Sequence, residues 1–137
     1  MSFLKKLNMK AYKVSSIEFK NNLEPNTKLE LKNQYSHNVK YARNNICEGI
    51  LKVDITDGAG NENFRISVTV QGLFAYEGET DKERIHIETF RELFPFARAL
   101  VTNLTANAGM PPIIIPSIDL DNQEIYKIDI KPKGMEN

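Results

Sequence analysis

An α+β domain, with a four-stranded antiparallel sheet followed by a long helix packed on one face, is the fold class this sequence predicts. Three observations carry it. Apolar residues alternate with polar ones in several segments up to Val70. Beyond about residue 89 the apolar spacing changes to threes and fours, the period of a helix. Between two alternating segments lies Asp57–Asn61, DGAGN, a glycine-rich hairpin link that makes its flanking strands antiparallel neighbours.

Near the start, Tyr12 and Val14 share one parity while Ile17 and Phe19 share the other, so a single strand there requires a bulge around Ser15-Ser16. Leu29 and Leu31 alternate with Glu30 and Lys32 in a second, weaker strand. Pro25-Asn26 bounds it before, and the polar segment SHNVKYARNN, residues 36–45, bounds it after. Cys47 begins a third strand in which Leu51, Val53 and Ile55 oppose Lys52, Asp54 and Thr56. In the fourth, Phe64, Ile66, Val68 and Val70 oppose Arg65, Ser67 and Thr69. The polar members of these last two strands are expected to form one wet, flat face.

The helix shows an apolar side through Phe90, Leu93, Phe94, Ala97, Leu100, Val101 and Leu104. Thr89 and Glu92 fit a capping box, and Gly109 suits the left-handed residue that closes a helix, so the main piece is predicted from about Leu93 to Ala108. Pro95 removes the bond its amide would make to Arg91, which predicts a kink or two helical pieces. The apolar side exceeds what one four-stranded sheet obviously covers. A homo-oligomer is therefore expected, with Phe90, Leu93, Phe94, Leu100 and Leu104 at the interface. After the helix, Met110, Ile113, Ile114, Ile115 and Ile118 form an apolar strip that Pro111, Pro112 and Pro116 hold extended. Such a strip must be covered by the core, another subunit or a ligand.

The 137 residues suffice for one domain with a real core. Residues 1–137 are read as that single domain, with its core at about 10–122 and a tail, 123–137, that the pattern does not place. Eighteen basic against 18 acidic residues give no field for nucleic acid. No apolar run approaches the roughly 20 residues of a membrane span, and MSFLKKLNMK lacks the apolar run of a signal peptide. A cytoplasmic location is expected, in keeping with a single cysteine that rules out an intramolecular disulfide.

Catalytic chemistry is not legible. His37 and His86 lack metal-ligand spacing and read as surface histidines; no metal and no cofactor is expected. Cys47 reads as a buried structural thiol. Residues 54–63 lack the carboxylate spacing and terminal glutamate of a calcium loop and read as a hairpin turn. Asn103-Leu104-Thr105 matches a glycosylation acceptor by chance, since it falls in a helix. No nucleophile, base and orienter can be nominated together, so an enzyme is not expected.

Leu93-Phe94-Pro95-Phe96-Ala97-Arg98 resembles the LFPxAR motif of the bacterial protein-export chaperone SecB and its SecB-like relatives. Gly109-Met110-Pro111-Pro112 with the following IIIPSIDL is similar to that family's proline-rich strip, and Gly72-Leu73-Phe74 to its G-x-F. The resemblance spans about residues 10–122 and is most specific from LFPFAR to GMPP. It implies a four-stranded sheet with one long helix, dimers that pair into tetramers, and a holdase that binds unfolded or preprotein polypeptides without ATP. Carried over by position, the client-binding residues are Phe74, Tyr76, Met110, Ile113, Ile115, Ile118 and Leu120. The resemblance also implies docking to the translocase motor ATPase on an acidic sheet face. Against that, this chain is neutral and its first strand carries Lys10, Lys13 and Lys20. The family's second helix is also cut short, because Tyr126, Ile128 and Ile130 alternate as in a strand and Pro132 follows. A dedicated client such as an antitoxin fits these departures better than general export. The alternative is an interaction module that binds one specific partner without general chaperone activity.

Overall fold

A computed structural model describes residues 7–58 and 63–116, and the backbone of residues 129–130. Four antiparallel strands, β1 (Asn8–Asn21), β2 (Leu31–Tyr41), β3 (Ile46–Asp57) and β4 (Phe64–Ala75), precede one long helix, α1 (Lys82–Asn107). A short β5 (Asp129–Ile130) joins β2 in parallel, giving the order β1-β4-β3-β2-β5. Strands β2 to β4 form a meander and β1 returns beside β4, as in a Greek key. Residues 22–30 must therefore cross from one edge of the sheet to the other.

Alternation sets the two faces. Cys47, Leu51, Val53 and Ile55 of β3 and Phe64, Ile66, Val68, Val70 and Phe74 of β4 are buried under α1. The expected bulge in β1 is present: Val14 pairs with Val70 and Ser16 with Thr69, leaving Ser15 as the extra residue. A second irregularity falls between Met9 and Ala11. Because of these two shifts, Met9, Tyr12, Val14, Ile17 and Phe19 all oppose core-facing residues of β4 and share the helix side of the sheet. On the opposite face, Arg65 bridges to Asp54 at 3.2 Å, and Lys52 lies 3.9 Å from the same carboxylate. Ser67 departs from the expected wet row. Its short side chain on a central strand is covered by its cross-strand neighbours Glu18 and Asp54, and it is buried.

Three expectations are corrected. The segment 36–45 is mostly not a boundary: β2 runs through Tyr41, and Tyr35, His37 and Val39 alternate into the core. Neither histidine lies on the surface. Both are buried, with ring centroids 4.9 Å apart. The helix begins well before Thr89. Asp81 is its N-cap, accepting from the Glu83 amide, and α1 continues unbroken through Pro95. Thr89 instead donates its hydroxyl to the Ile85 carbonyl at 2.8 Å. With that single proton committed, it accepts from His37 Nε2–H at 2.9 Å, which ties β2 to α1.

Gly49 and Gly72 face each other on β3 and β4 and let the helix approach. The Phe74 ring and Leu93 fill the space their missing side chains leave: a Cβ at Gly72 would stand 2.8 Å from the ring and 3.0 Å from Leu93 Cδ2. On one flank of α1, Phe94 meets Tyr35 of β2 edge to face, with centroids 5.8 Å apart. On the other, Phe96 lies 4.3 Å from the Tyr12 ring of β1.

Candidate polypeptide-binding groove

The helix closes as its glycine predicts. Gly109 has φ of 83°, its amide donates to Ala106, and the Met110 amide reaches back to Thr105, which satisfies two of the last free carbonyls. Pro111 and Pro112 then forbid another turn, and the chain doubles back along α1. Two threonines fix its path. Thr105 donates to the Val101 carbonyl and accepts the Ile113 amide at 2.9 Å, while Thr102 donates to the Ile113 carbonyl at 2.8 Å. Thr105 lies eleven residues after Phe94, which returns it to nearly the same helical azimuth. The strip therefore lies on the β2 flank of the helix.

An extended segment alternates its side chains. Ile115 enters the core, Ile113 is half-buried, and Ile114 between them is 69% exposed. Across from them stand Leu23 and Leu29 of the crossover between β1 and β2, and Leu31 at the start of β2. The two walls enclose an open groove of about 570 Å³. Most of its lining residues are apolar, and Asn21, Glu24, Asn26 and Thr27 add polar groups to one wall. This composition suits an extended polypeptide with apolar side chains better than a small polar substrate.

The expected client-contact residues do not all meet here. Met110 and Ile113 line the groove, but Ile115 is behind it in the core. Ile118 and Leu120 lie outside the described residues. Phe74 is buried over the glycine pair, and Tyr76 is half-buried beside Tyr41. Both sit at the far end of β4, ten residues or roughly 30 Å from the groove end at Phe64. Of the expected interface residues, Phe90, Leu93 and Phe94 are covered by the chain's own sheet, while Leu100 and Leu104 are half-buried. The expected client-contact set left out Ile114, although it was read as part of the strip, and Leu23, Leu29 and Leu31 of the opposite wall. Sequence reasoning also missed that the apolar row of β1 escapes the helix: Tyr12, Val14 and Ile17, with Phe96, are exposed.

Among the described residues no group of three or more histidines, cysteines or acids comes together. Burial pushes the Cys47 thiol up to about 11, far from a nucleophile's range. No described helix is long and apolar enough to cross a membrane.

The family model described as preprotein translocase subunit SecB matches residues 1–131. An uncharacterized protein of Methanocaldococcus jannaschii is 31% identical over 134 residues, covering 91% of this chain and 86% of that protein. The protein-export protein SecB of Caulobacter vibrioides is 38% identical over 81 residues, 53% of this chain and 50% of that protein, so the match spans about half the length of this curated relative. A solved SecB-like chaperone of Mycobacterium tuberculosis, in complex with a ChAD peptide from the HigA1 antitoxin, superposes with a TM-score of 0.68 over 83% of this chain and 88% of its own. At 15% identity, that likeness is one of fold.

Proposed function

The chain belongs to the SecB family, and on that premise we propose that it is an ATP-independent holdase whose client lies in the groove between residues 22–31 and 109–114. The observation that carries the proposal is Ile114, a large apolar side chain held outward on a backbone that two threonines and two prolines keep in place. A strip ordered before the client arrives lowers the ordering cost of binding. Contacts through several aliphatic side chains and backbone tolerate many client sequences. The test is light scattering of an unfolded model enzyme diluted from denaturant, without nucleotide. The parent should delay aggregation, and Met110→Asp with Ile114→Asp should abolish the delay while the far-ultraviolet spectrum stays unchanged. A folded double variant as protective as the parent would remove the groove from the proposal.

A second reading is a single dedicated partner. It is favoured by the open sheet face, which mixes Lys13, Lys20 and Arg65 with Glu18 and Asp54 rather than presenting the acidic surface expected for motor docking. The antitoxin peptide bound by the Mycobacterium tuberculosis neighbour gives the partner class. Dissociation constants for a set of unrelated unfolded peptides separate the readings. A holdase gives a narrow range, and a dedicated module gives one tight peptide among weak ones.

The uncovered row Tyr12, Val14 and Ile17, continued by Phe96, supports self-association through β1 and its flank of α1. Ile17 is 48% exposed, so an aspartate there costs the monomer little. Ile17→Asp should convert an oligomer to monomer in light scattering without loss of secondary structure. A parent that is monomeric at micromolar concentration refutes this proposal.

A further inference from the structure

The parity of the core decides which side chains share the outer face of the sheet. Phe19 of β1, Ile55 of β3, Phe64 of β4 and Tyr35 of β2 turn toward the helix. Lys20, Thr56, Arg65 and Lys32 have the opposite parity and turn away from it. The register aligns these four in one row: Lys20 lies directly opposite Arg65, Arg65 opposite Thr56, and Thr56 opposite Lys32. At the usual strand spacing the row spans about 14 Å. Its three cations are exposed. Like charges placed directly opposite across two strands repel, so the Lys20 and Arg65 pair works against the pairing that holds it. The adjoining row gives partial relief, since Asp54 lies 3.2 Å from Arg65 and 3.9 Å from Lys52, one carboxylate for two cations. No ion pair among the described residues reaches Lys20 or Lys32.

We propose that the row Lys20, Arg65 and Lys32 is a docking site for an acidic segment of a dedicated protein partner, laid across the strands on the outer face of the sheet. Charge complementarity selects the occupant. An extended chain repeats its side chains on one face every ~6.8 Å, so carboxylates at three alternate positions span about 14 Å, the length of the row. Nucleic acid fits less well. Glu18 and Asp54 in the next row would face its phosphates, and neither row holds an aromatic ring on which a base could stack. The sign is also opposite to that of the acidic face through which the family resemblance implies motor docking, so a basic docking surface is repelled here. This proposal rests on the dedicated-partner reading and adds to it the chemistry of the partner and the face that receives it.

The test uses the full chain and fluorescence anisotropy at low salt. The probes are a labelled peptide of alternating glutamate and serine, its lysine and serine counterpart, and a single-stranded DNA oligonucleotide. Lys20→Gln with Lys32→Gln removes the two unpaired cations, Lys20→Glu alone serves as a second variant, and urea unfolding checks the fold of each. The parent should bind the glutamate peptide and not the lysine one, and the double variant should bind the glutamate peptide roughly tenfold more weakly. Both variants should still delay client aggregation as the parent does, because none of the three cations lines the groove. Equal affinity of parent and folded variants for the glutamate peptide, or no binding by the parent, overturns the site. An oligonucleotide that binds more tightly than the peptide and is lost with the same substitutions also overturns it, making the row a nucleic-acid contact. If the site falls while one unfolded peptide among unrelated ones still binds far more tightly than the rest, the dedicated-partner reading survives without it. A narrow range across those peptides overturns that reading too.

Discussion

Moving the protein from pH 7 to pH 4.5 is expected to remove about 3 kcal/mol of folding stability through His37 alone. Burial, and then the neighbouring His86, hold the His37 imidazole down to about 3 from its ordinary 6.5, and the carbonyls of Ile50 and His86 offset part of this. A histidine whose folded pKa lies below its unfolded value binds fewer protons when folded. Its contribution is therefore complete above pH 6.5 and is lost as the pH falls toward 3, at about 1.4 kcal/mol per unit. Urea unfolding at the two pH values, on the parent and on His37→Gln, isolates the effect. The glutamine retains a donor for Thr89 and cannot titrate in this range. If both proteins lose stability equally, the His37 imidazole is not held neutral by its burial.

The second large effect is steric. Gly72→Val is expected to cost about 3 kcal/mol, because even its Cβ would stand 2.8 Å from the wedged Phe74 ring and the two methyl groups add to the overlap. The ring itself is fully buried, and it lies within 3.3 Å of the Cβ positions of both Gly49 and Gly72. Gly49→Ala should cost about 1 kcal/mol, since its new Cβ would meet Leu93, Phe74 and His37 at 3.2 to 3.4 Å, where small shifts suffice. Denaturant midpoints for the two variants give the comparison. A Gly72→Val protein as stable as the parent would mean that the helix can lift from the sheet at little cost.

Much of the fold was legible because burial on one side leaves a period in the sequence. β3 and β4 follow their alternation over most of their length, and the parity change between Val14 and Ile17 located the β1 bulge. The errors arose where a polar residue occupies a core position. His37 interrupts the apolar row of β2, so a strand looked like a loop; the structure gives its Nε2 a partner in Thr89. That same threonine, followed by Glu92, imitated a helix start. A threonine inside a helix can return its hydroxyl to the preceding turn, and here it does so. Asp81 offered the competing cap, with Ile85 four residues later as the first buried position of the helix.

The groove was half legible. Prolines after Gly109 announced an extended apolar strip, and that part stands. Which isoleucine faces outward depends on two hydrogen bonds from Thr102 and Thr105, residues that carry no apolar signal. The opposite wall comes from residues 23–31, about eighty positions earlier, and only the crossover of the Greek key brings it there. The exposed row on β1 could have been found. Once the bulge is accepted, Tyr12, Val14, Ile17 and Phe19 fall on one face, and an edge strand remote from a single helix has nothing to cover it.

Cys47 gives this molecule a chemical clock. Its thiol is fully buried opposite Phe74 and held at about 11, so an alkylating reagent in neutral buffer meets neither an accessible sulfur nor a thiolate. Modification must wait for β3 and β4 to part at the end of the sheet where Cys47 pairs with Phe74 beneath the helix. The rate at which the chain gains one alkyl mass therefore counts how often this end of β3 and β4 opens. Because the chain holds no other cysteine, every count has a single origin.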